Sequence, residues 1–373
     1  MMKFILVNLG PQIPSYLYEN IRWIRRNFPS NELLVIIDDQ IHKENLMELE
    51  VEVFYYQRKR DVRELLAKLH HDATFRGGFW QLTIDRLFAI CDAVVELGLK
   101  KTIYIESDVL ILPNFPMGAV SKIEKIAWTR YNDKRDVASI IIIPNSSQAT
   151  QFRADLIKLF ESNPTLTDMS ALNQLASRRV DSVFLMPTIV DGLENNKLVD
   201  ESELSRITFL SPEFTSDCRG VFDGAIIGMY LTGQDPHNSY GFTMFLNQDL
   251  LKEDESYTDL RNVDFIYQNK RLYLKTQKGE KIEVYNLHIH SKNPEMFTDR
   301  VFSNLEIMVD KANQKIPYVQ FNSKILYELM KQNLRNRTFL RYLRRFLYFS
   351  LQSLESRFKQ ALGPKIDVKC SQS

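Results

Sequence analysis

Cysteine is scarce: Cys91, Cys218 and Cys370 are the only three in 373 residues, far apart and without a CxxC spacing. That excludes a disulfide framework and a cysteine-based zinc site, and it suits a reducing, cytoplasmic setting. Long apolar runs are also missing. No stretch reaches the roughly 18 residues of a spanning helix, and the opening "MMKFILVNLGPQIP" has one Lys and an apolar run too short for a signal peptide. No internal repeat or low-complexity tract interrupts the chain. After the first apolar run, "VNLGPQIP" holds one Gly and no Lys or Arg, so the Gly-rich basic phosphate loop expected of a nucleotidyltransferase is absent.

What is present is ordinary globular material, 44% apolar and 25% charged, enough for one large or two modest domains with a real core. Its charge is uneven. Residues 331–373 carry ten Lys and Arg against Glu355 and Asp367, a local +8 that leaves −7 on the rest of a chain whose formal charge is +1. A basic tail on an acidic body points to an anionic surface for the tail to meet.

Hydrophobic periodicity alternates strand and helix through the first third. "FILVNL", "ELLVIID", "VEVFYY" and "TIYIE" read as strands, and "SYLYENIRWIRRNF" and "GFWQLTIDRLFAICDAVVELG" as helices. This predicts an α/β fold with a mixed, mostly parallel sheet flanked by helices. The long helix places Trp80, Leu82, Ile84, Leu87, Phe88, Cys91 and Val95 on an apolar stripe and ends at Gly98. Strands at "KIAWTRYN", "VASIIIIPN" and "VFLMPTIV" and helices at "SQATQFRADLIKLFESN" and "DMSALNQLAS" follow. A hairpin with its turn at Lys278-Gly279-Glu280 precedes "YNLHIHSKN".

Two clusters carry chemistry. Glu106 and Asp108 sit two apart at the end of "TIYIESD", so both face one side of an extended chain at the strand end where α/β folds gather ligands. Hard divalent ions take such oxygens, although solvated loop carboxylates or helix caps have the same spelling. In "YNLHIHSKN", His288 and His290 share one strand face and Lys292 follows. Imidazole completes a transition-ion shell that carboxylates begin, and Lys neutralises phosphate, unless each His is an ordinary satisfied one. Asp223 precedes a helix-like run holding Gly224 and Gly228 four apart. It is either a general base or an N-cap, and the glycines serve either a close approach or tight packing.

"DRLFAICDAV", "IYIESDVLIL" in the place of a DxD segment, "DMSALN", an Asp-containing helix start and a late His followed by Lys together resemble the nucleotide-sugar-dependent glycosyltransferases of the GT-A fold, over roughly residues 1–300. The resemblance implies a donor half over about 1–150 and an acceptor half over about 151–300. It implies Mn²⁺ or Mg²⁺ as cofactor and a nucleoside diphosphate sugar as donor, UDP ahead of GDP, with a saccharide or lipid-linked saccharide as acceptor in surface polysaccharide or glycolipid synthesis. By the same resemblance Asp108 binds the metal, and Glu106, where the motif has Asp, meets ribose or metal. Ser107 lies between them, and Arg86 reaches nucleotide or diphosphate. His290 or His288 completes the metal shell, Lys292 holds the leaving phosphates, and Asp223 is the candidate base. Asn8, Leu9, Asp38 and Asp39 end the strands that hold base and ribose, where turn chemistry is the alternative for the two acids. Asn173 resembles a donor-sugar residue of retaining relatives, but Met169 stands where many of them have Gln.

The remaining 301–373 reads as a helical extension. Across residues 335–361, Phe339, Leu340, Leu343, Phe346, Leu347, Leu351 and Leu354 form a stripe beside Arg341, Arg344 and Arg345. Such a helix lies peripherally on an anionic membrane, packs on the body or joins a dimer. No nucleic-acid reading motif accompanies it, so no nucleic-acid partner is expected. A related nucleotidyltransferase and a silent membrane-docked scaffold are the alternative functions.

Overall fold

The computed structural model describes residues 2–72, 75–131, 134–179, 181–188, 220–233, 235, 242–244, 260, 263–275, 281–314 and 319–321. The apolar runs of the first half form β1 (Lys3–Asn8), β2 (Glu32–Ile37), β3 (Glu52–Tyr55), β4 (Thr102–Ile105), β5 (Val109–Ile111), β6 (Ile126–Arg130), β7 (Asp136–Ile143) and β8 (Val183–Met186). Between them run α1 (Ser15–Asn27), α2 (Lys43–Met47), α3 (Arg60–Leu66), α4 (Phe79–Glu96), α5 (Met117–Val120), α6 (Ser146–Ser162) and α7 (Asp168–Arg178).

Seven of these strands build one sheet in the order β3-β2-β1-β4-β7-β6-β8. The first four are mutually parallel, as helical crossovers require, whereas β7 runs antiparallel to both β4 and β6. The sheet is therefore mixed and mostly parallel, with helices on both faces. Along β1, Phe4 and Leu6 enter one apolar core with α1, while Ile5 and Val7 enter the other with α4, α6 and α7. Burial on both faces is why "FILV" is continuous rather than alternating.

In α4, Ile84, Leu87, Phe88 and Cys91 are buried as their stripe predicts, but Val95 turns out to water at 37% exposure. Gly98 (φ 60) then turns the chain back toward β4.

The second half begins at β9 (Gly220–Val221) and α8 (Ile226–Thr232), and continues through β10 (Phe242–Met244), β11 (Asp264–Gln268), β12 (Arg271–Lys275), β13 (Lys281–Val284), β14 (Asn286–His288), α9 (Arg300–Asn313) and β15 (Val319–Phe321). Asn269 and Lys270, both left-handed at φ 52 and 60, close a β11–β12 hairpin that the sequence reading did not place. The expected turn at 278–280 lies outside the described residues, between antiparallel β12 and β13.

The strand read through "YNLHIH" breaks at Tyr285. Its second part, β14, leaves the small sheet and pairs antiparallel with β5, setting His288 opposite Val109. The boundary expected at residue 300 also moves. Val301, Leu305, Met308 and Val309 of α9 are buried in the same core as α1 and β5, and Phe302 packs on Trp23 with ring centroids 5.6 Å apart. The body therefore continues to residue 313 at least, and the amphipathic 335–361 run lies outside the described residues. Among the described residues no helix is long and apolar enough to cross a membrane.

Helix α8 touches β14 almost backbone to backbone, for a Cβ added at Gly228 would lie 2.1 Å from the carbonyl oxygen of His288. Gly228 thus serves a close approach, whereas a Cβ at Gly224 would meet the Thr129 side chain, at 3.3 Å. Gly228→Ala is expected to lower unfolding free energy by about 3 kcal/mol, the upper range of overpacking. Gly118→Ala, whose added methyl meets nothing within 4 Å, should leave the unfolding free energy from urea denaturation within about 0.5 kcal/mol of wild type.

Candidate functional site

Strand β4 ends at Ile105 and the chain turns at once, with Val109 N donating to Glu106 O at 2.9 Å. One flank of the turn is held by α1: Asn20 Nδ2, fully buried, donates to the carbonyls of Ser107 (3.0 Å) and Val109 (2.9 Å), and Trp23 Nε1 donates to Ile111 O (2.6 Å). On the other flank β14 pairs with β5, and Ile289 N donates to Asp108 O at 2.7 Å. Residues 106–108 and 288–292 thereby share one place.

Each side chain there divides its polar atoms between a support and a common point. Glu106 Oε1 accepts from Arg86, whose other nitrogen donates to Asp168 Oδ2 at 2.8 Å. Asp108 Oδ2 accepts from Lys292 Nζ at 3.0 Å. His288 Nδ1 lies 2.8 Å from Gly224 O. A carbonyl only accepts, so Nδ1 carries hydrogen and Nε2 faces the carboxylates. The atoms left over converge: His288 Nε2 is 3.3 Å from Asp108 Oδ1 and 3.7 Å from Glu106 Oε2. Among the described residues, Glu106, Asp108 and His288 offer ligand atoms all within 4.8 Å of one another.

Asp108 is 4% exposed, and its Oδ1 is sealed from water with His288 Nε2 facing it at 3.3 Å. A buried anionic oxygen facing an imidazole nitrogen and a second carboxylate fits a divalent ion that accepts mixed oxygen and nitrogen donors, as Mn²⁺ does.

Electrostatics follow from this crowding. Burial pushes the Asp108 carboxyl up, but Lys292 and His288 outweigh it and hold Asp108 well below the usual range. Burial likewise opposes protonation of His288, and the Asp108 and Glu106 charges overcome it, raising the imidazole to about 9. His290 stacks on His288 with centroids 4.1 Å apart. Burial, then the His288 charge, lowers it to about 3, and its Nε2 is sealed without a partner. The Lys292 ammonium is desolvated, yet Asp108, Tyr16 and Asp235 keep it protonated. Its backbone is left-handed (φ 53), an uncommon conformation for Lys that points the chain back toward Asp108.

Other expected positions lie nearby or serve different ends. Asp38 accepts from Gly10 N (2.8 Å), tying the ends of β1 and β2, and Asp39 accepts from Ile41 N (3.0 Å), which is turn chemistry. Asn8 donates to Gln12 O (3.3 Å), and Leu9 packs on the core under α4. Asn173 donates to buried Asp136, and Met169 packs against the core.

Asp223, for which base and N-cap were both expected, sits just before α8. It is 1% exposed, and its carboxylate accepts from the amides of Ile227 (2.9 Å), Gly228 (2.7 Å) and His288 (2.9 Å). With its oxygens filled, it caps α8 and fixes β14. Arg86, expected to reach nucleotide or diphosphate, donates to Glu106 and Asp168.

Asp168 and Asn20 escaped the sequence reading. Asn20 was detectable in principle, since it lies on the same apolar helix face as Leu17 and Ile24, where a polar group must find buried partners.

No protein-family model matches the chain, and no curated protein matches it by sequence. Among solved structures it is similar to an active-site mutant of LgtC, at 11% identity and a TM-score of 0.38 over 57% of this chain and 85% of that one. It is also similar to apo GlyE, a glycosyltransferase of Streptococcus pneumoniae TIGR4, at 14% identity and a TM-score of 0.34 over 48% and 43%. A third similarity is to the PaToxG glycosyltransferase, at 11% identity and a TM-score of 0.31 over 58% and 76%.

For the imidazole pair the pH dependence is two-sided. His288 binds its proton more tightly when folded, so its stabilisation is full below the ordinary value of about 6.5 and is lost as pH rises toward about 9. His290 binds its proton less tightly when folded, so it costs stability as pH falls below about 6.5. Histidine NMR titration of metal-free protein should find the two values far apart. Mn²⁺ affinity by electron paramagnetic resonance should rise with pH up to about 9, because the ion displaces the His288 proton. Asp223→Asn should weaken that affinity by about tenfold to a hundredfold.

Proposed function

We propose that this protein is a metal-dependent glycosyltransferase of the GT-A kind, moving a sugar from a nucleoside diphosphate sugar to a saccharide or lipid-linked saccharide. The observation that carries the reading is the convergence of Glu106 Oε2, Asp108 Oδ1 and His288 Nε2 at the end of a central strand. Each is aimed by its own support, Arg86, Lys292 or Gly224 O. Strand ends of such sheets are where nucleotides lie.

Glu106, Asp108 and His288 would hold Mn²⁺ or Mg²⁺, and a bound divalent ion supplies charge that stabilises a leaving diphosphate. The protein's own part is positional and electrostatic. Lys292, kept protonated beside Asp108, would donate to phosphate oxygens. Tyr16, whose ring lies 5.6 Å under the Lys292 ammonium, limits where the ammonium goes. Arg86 stays on Glu106 and Asp168, keeping the acid pair from repelling itself. The ends of β1 and β2, laced together by Gly10 and Asp38, are the natural seat of the nucleoside. The basic 335–361 run would carry the enzyme to an anionic surface, which supports a lipid-linked acceptor.

The test is thermal denaturation of the whole chain with UDP, GDP, CMP or dTDP, each with and without Mn²⁺. One nucleoside diphosphate, UDP first, should stabilise in a Mn²⁺-dependent way, by about 2.7 kcal/mol at a hundred times its Kd. Asp108→Asn should abolish the shift. Lys292→Ala should keep Mn²⁺ binding but weaken the nucleotide at least about tenfold, the loss of a charge-assisted hydrogen bond. A folded wild type that answers no nucleotide would overturn the assignment.

A further inference from the structure

We infer that the aromatic segment entering α4 is a saccharide-binding platform. In it Phe75, stacked on Trp80, receives the apolar face of a pyranose ring, and the Arg76–Asp235 ion pair meets its hydroxyls. Resting on the transferase reading above, this names where the acceptor sits.

Three rings crowd into six residues. Phe75 and Trp80 are nearly parallel, 14° apart with centroids at 5.9 Å, and Phe79 stands edgewise to both at 6.2 and 5.1 Å. Packing alone would bury them, yet Phe75 is 40% exposed and the other two are half-buried. One exposed ring backed by two half-buried rings offers a flat apolar face to a ligand.

The backbone presenting it is strained. Arg76, Gly77 and Gly78 are successively left-handed (φ 50, 67 and 89), and for Arg76 that conformation carries a cost. The turn brings the Arg76 guanidinium over the Phe79 ring at 4.9 Å and onto Asp235 Oδ2 at 2.7 Å.

The platform adjoins the metal-ligand cluster. The Asp235 charge reaches Lys292, His290 and Tyr16. Arg86, which holds Glu106, lies two turns along α4 from Phe79, about 10 Å at the helical rise.

The chemistry selects the occupant. A pyranose has a C–H face that lies on an aromatic ring and an equatorial rim of hydroxyls that donate to carboxylate and accept from guanidinium. Arg76 and Asp235 set a cationic donor beside an anionic acceptor, the pairing that the hydroxyls of a polyhydroxy ligand can meet from both sides. An acyl chain would instead need an apolar groove without a buried ion pair.

Trp23 and Trp128 are fully buried, so among the three tryptophans Trp80 alone reports on this surface. The test follows tryptophan emission of the full chain during titration with methyl glycosides and with lactose, maltose and cellobiose, with glycerol as control. Each titration is run with and without UDP and Mn²⁺.

At least one saccharide should give a saturable change that glycerol does not, and Trp80→Phe should remove the signal. Phe75→Ala, melting as wild type, should weaken binding about tenfold or more, the loss of one stacking contact, and Phe75→Tyr should restore it. No saccharide response, an unaltered Phe75→Ala titration, or a change produced by UDP alone would each overturn the proposal, the last by giving the rings to a nucleobase. Asp108→Asn separates the two readings. It removes the Mn²⁺-dependent nucleotide shift if the transferase reading holds, whereas saccharide binding at Phe75 persists in it.

Discussion

Two carboxylates two residues apart do not share a partly buried turn unless positive groups come to them. Everything around residues 106–108 answers that constraint. Arg86 arrives from α4, and Lys292 and His288 arrive from the far end of the chain through the pairing of β14 with β5. The short ladder is in turn secured by Asp223, which binds His288 N and the first amides of α8 with one carboxylate. Gly228 lets that helix come close enough for the arrangement to exist.

The supports leave a surplus of acceptor atoms aimed inward. With Glu106 and Asp108 each giving one oxygen to a cationic side chain and one to the shared point, the cluster keeps its shape without an ion. It also presents an ion with donors already oriented, so little ordering cost falls on binding. The same division explains why the two neighbouring histidines differ. His288 lies against the acids and gathers charge, while His290 lies behind it and is kept neutral by burial and then by the His288 charge.

Much of the fold was legible because periodicity is local. β1, β2, β4, α1 and α4 follow from runs that a reader can count, and Glu106 and Asp108 stand out as acids where an apolar strand should continue. What was not legible depends on pairing across distance. Nothing in "YNLHIH" announces a break at Tyr285 or a register that sets His288 beside Val109. Asp168 carries no local signature of its bond to Arg86, and Asp223 spells a cap and a base equally well until its three amide partners are seen. The antiparallel turn of β7 and the burial of α9 were missed for the same reason, since edge and core positions are decided by neighbours.

Lys292 and Asp108 are 184 residues apart, and that separation has a meaning during synthesis. A chain emerging N-terminus first at ordinary rates lengthens by about 5–20 residues per second, so the β1–β8 sheet is available well before its cationic partners. Through that interval β5 lacks its ladder neighbour and the 106–108 turn has Arg86 alone to offset its acids. Long-range closure of this kind is slow. The growing polypeptide therefore carries an unfinished, anionic edge until β14 arrives, and the step that completes the Glu106–Asp108–His288 cluster is the same step that pairs β5.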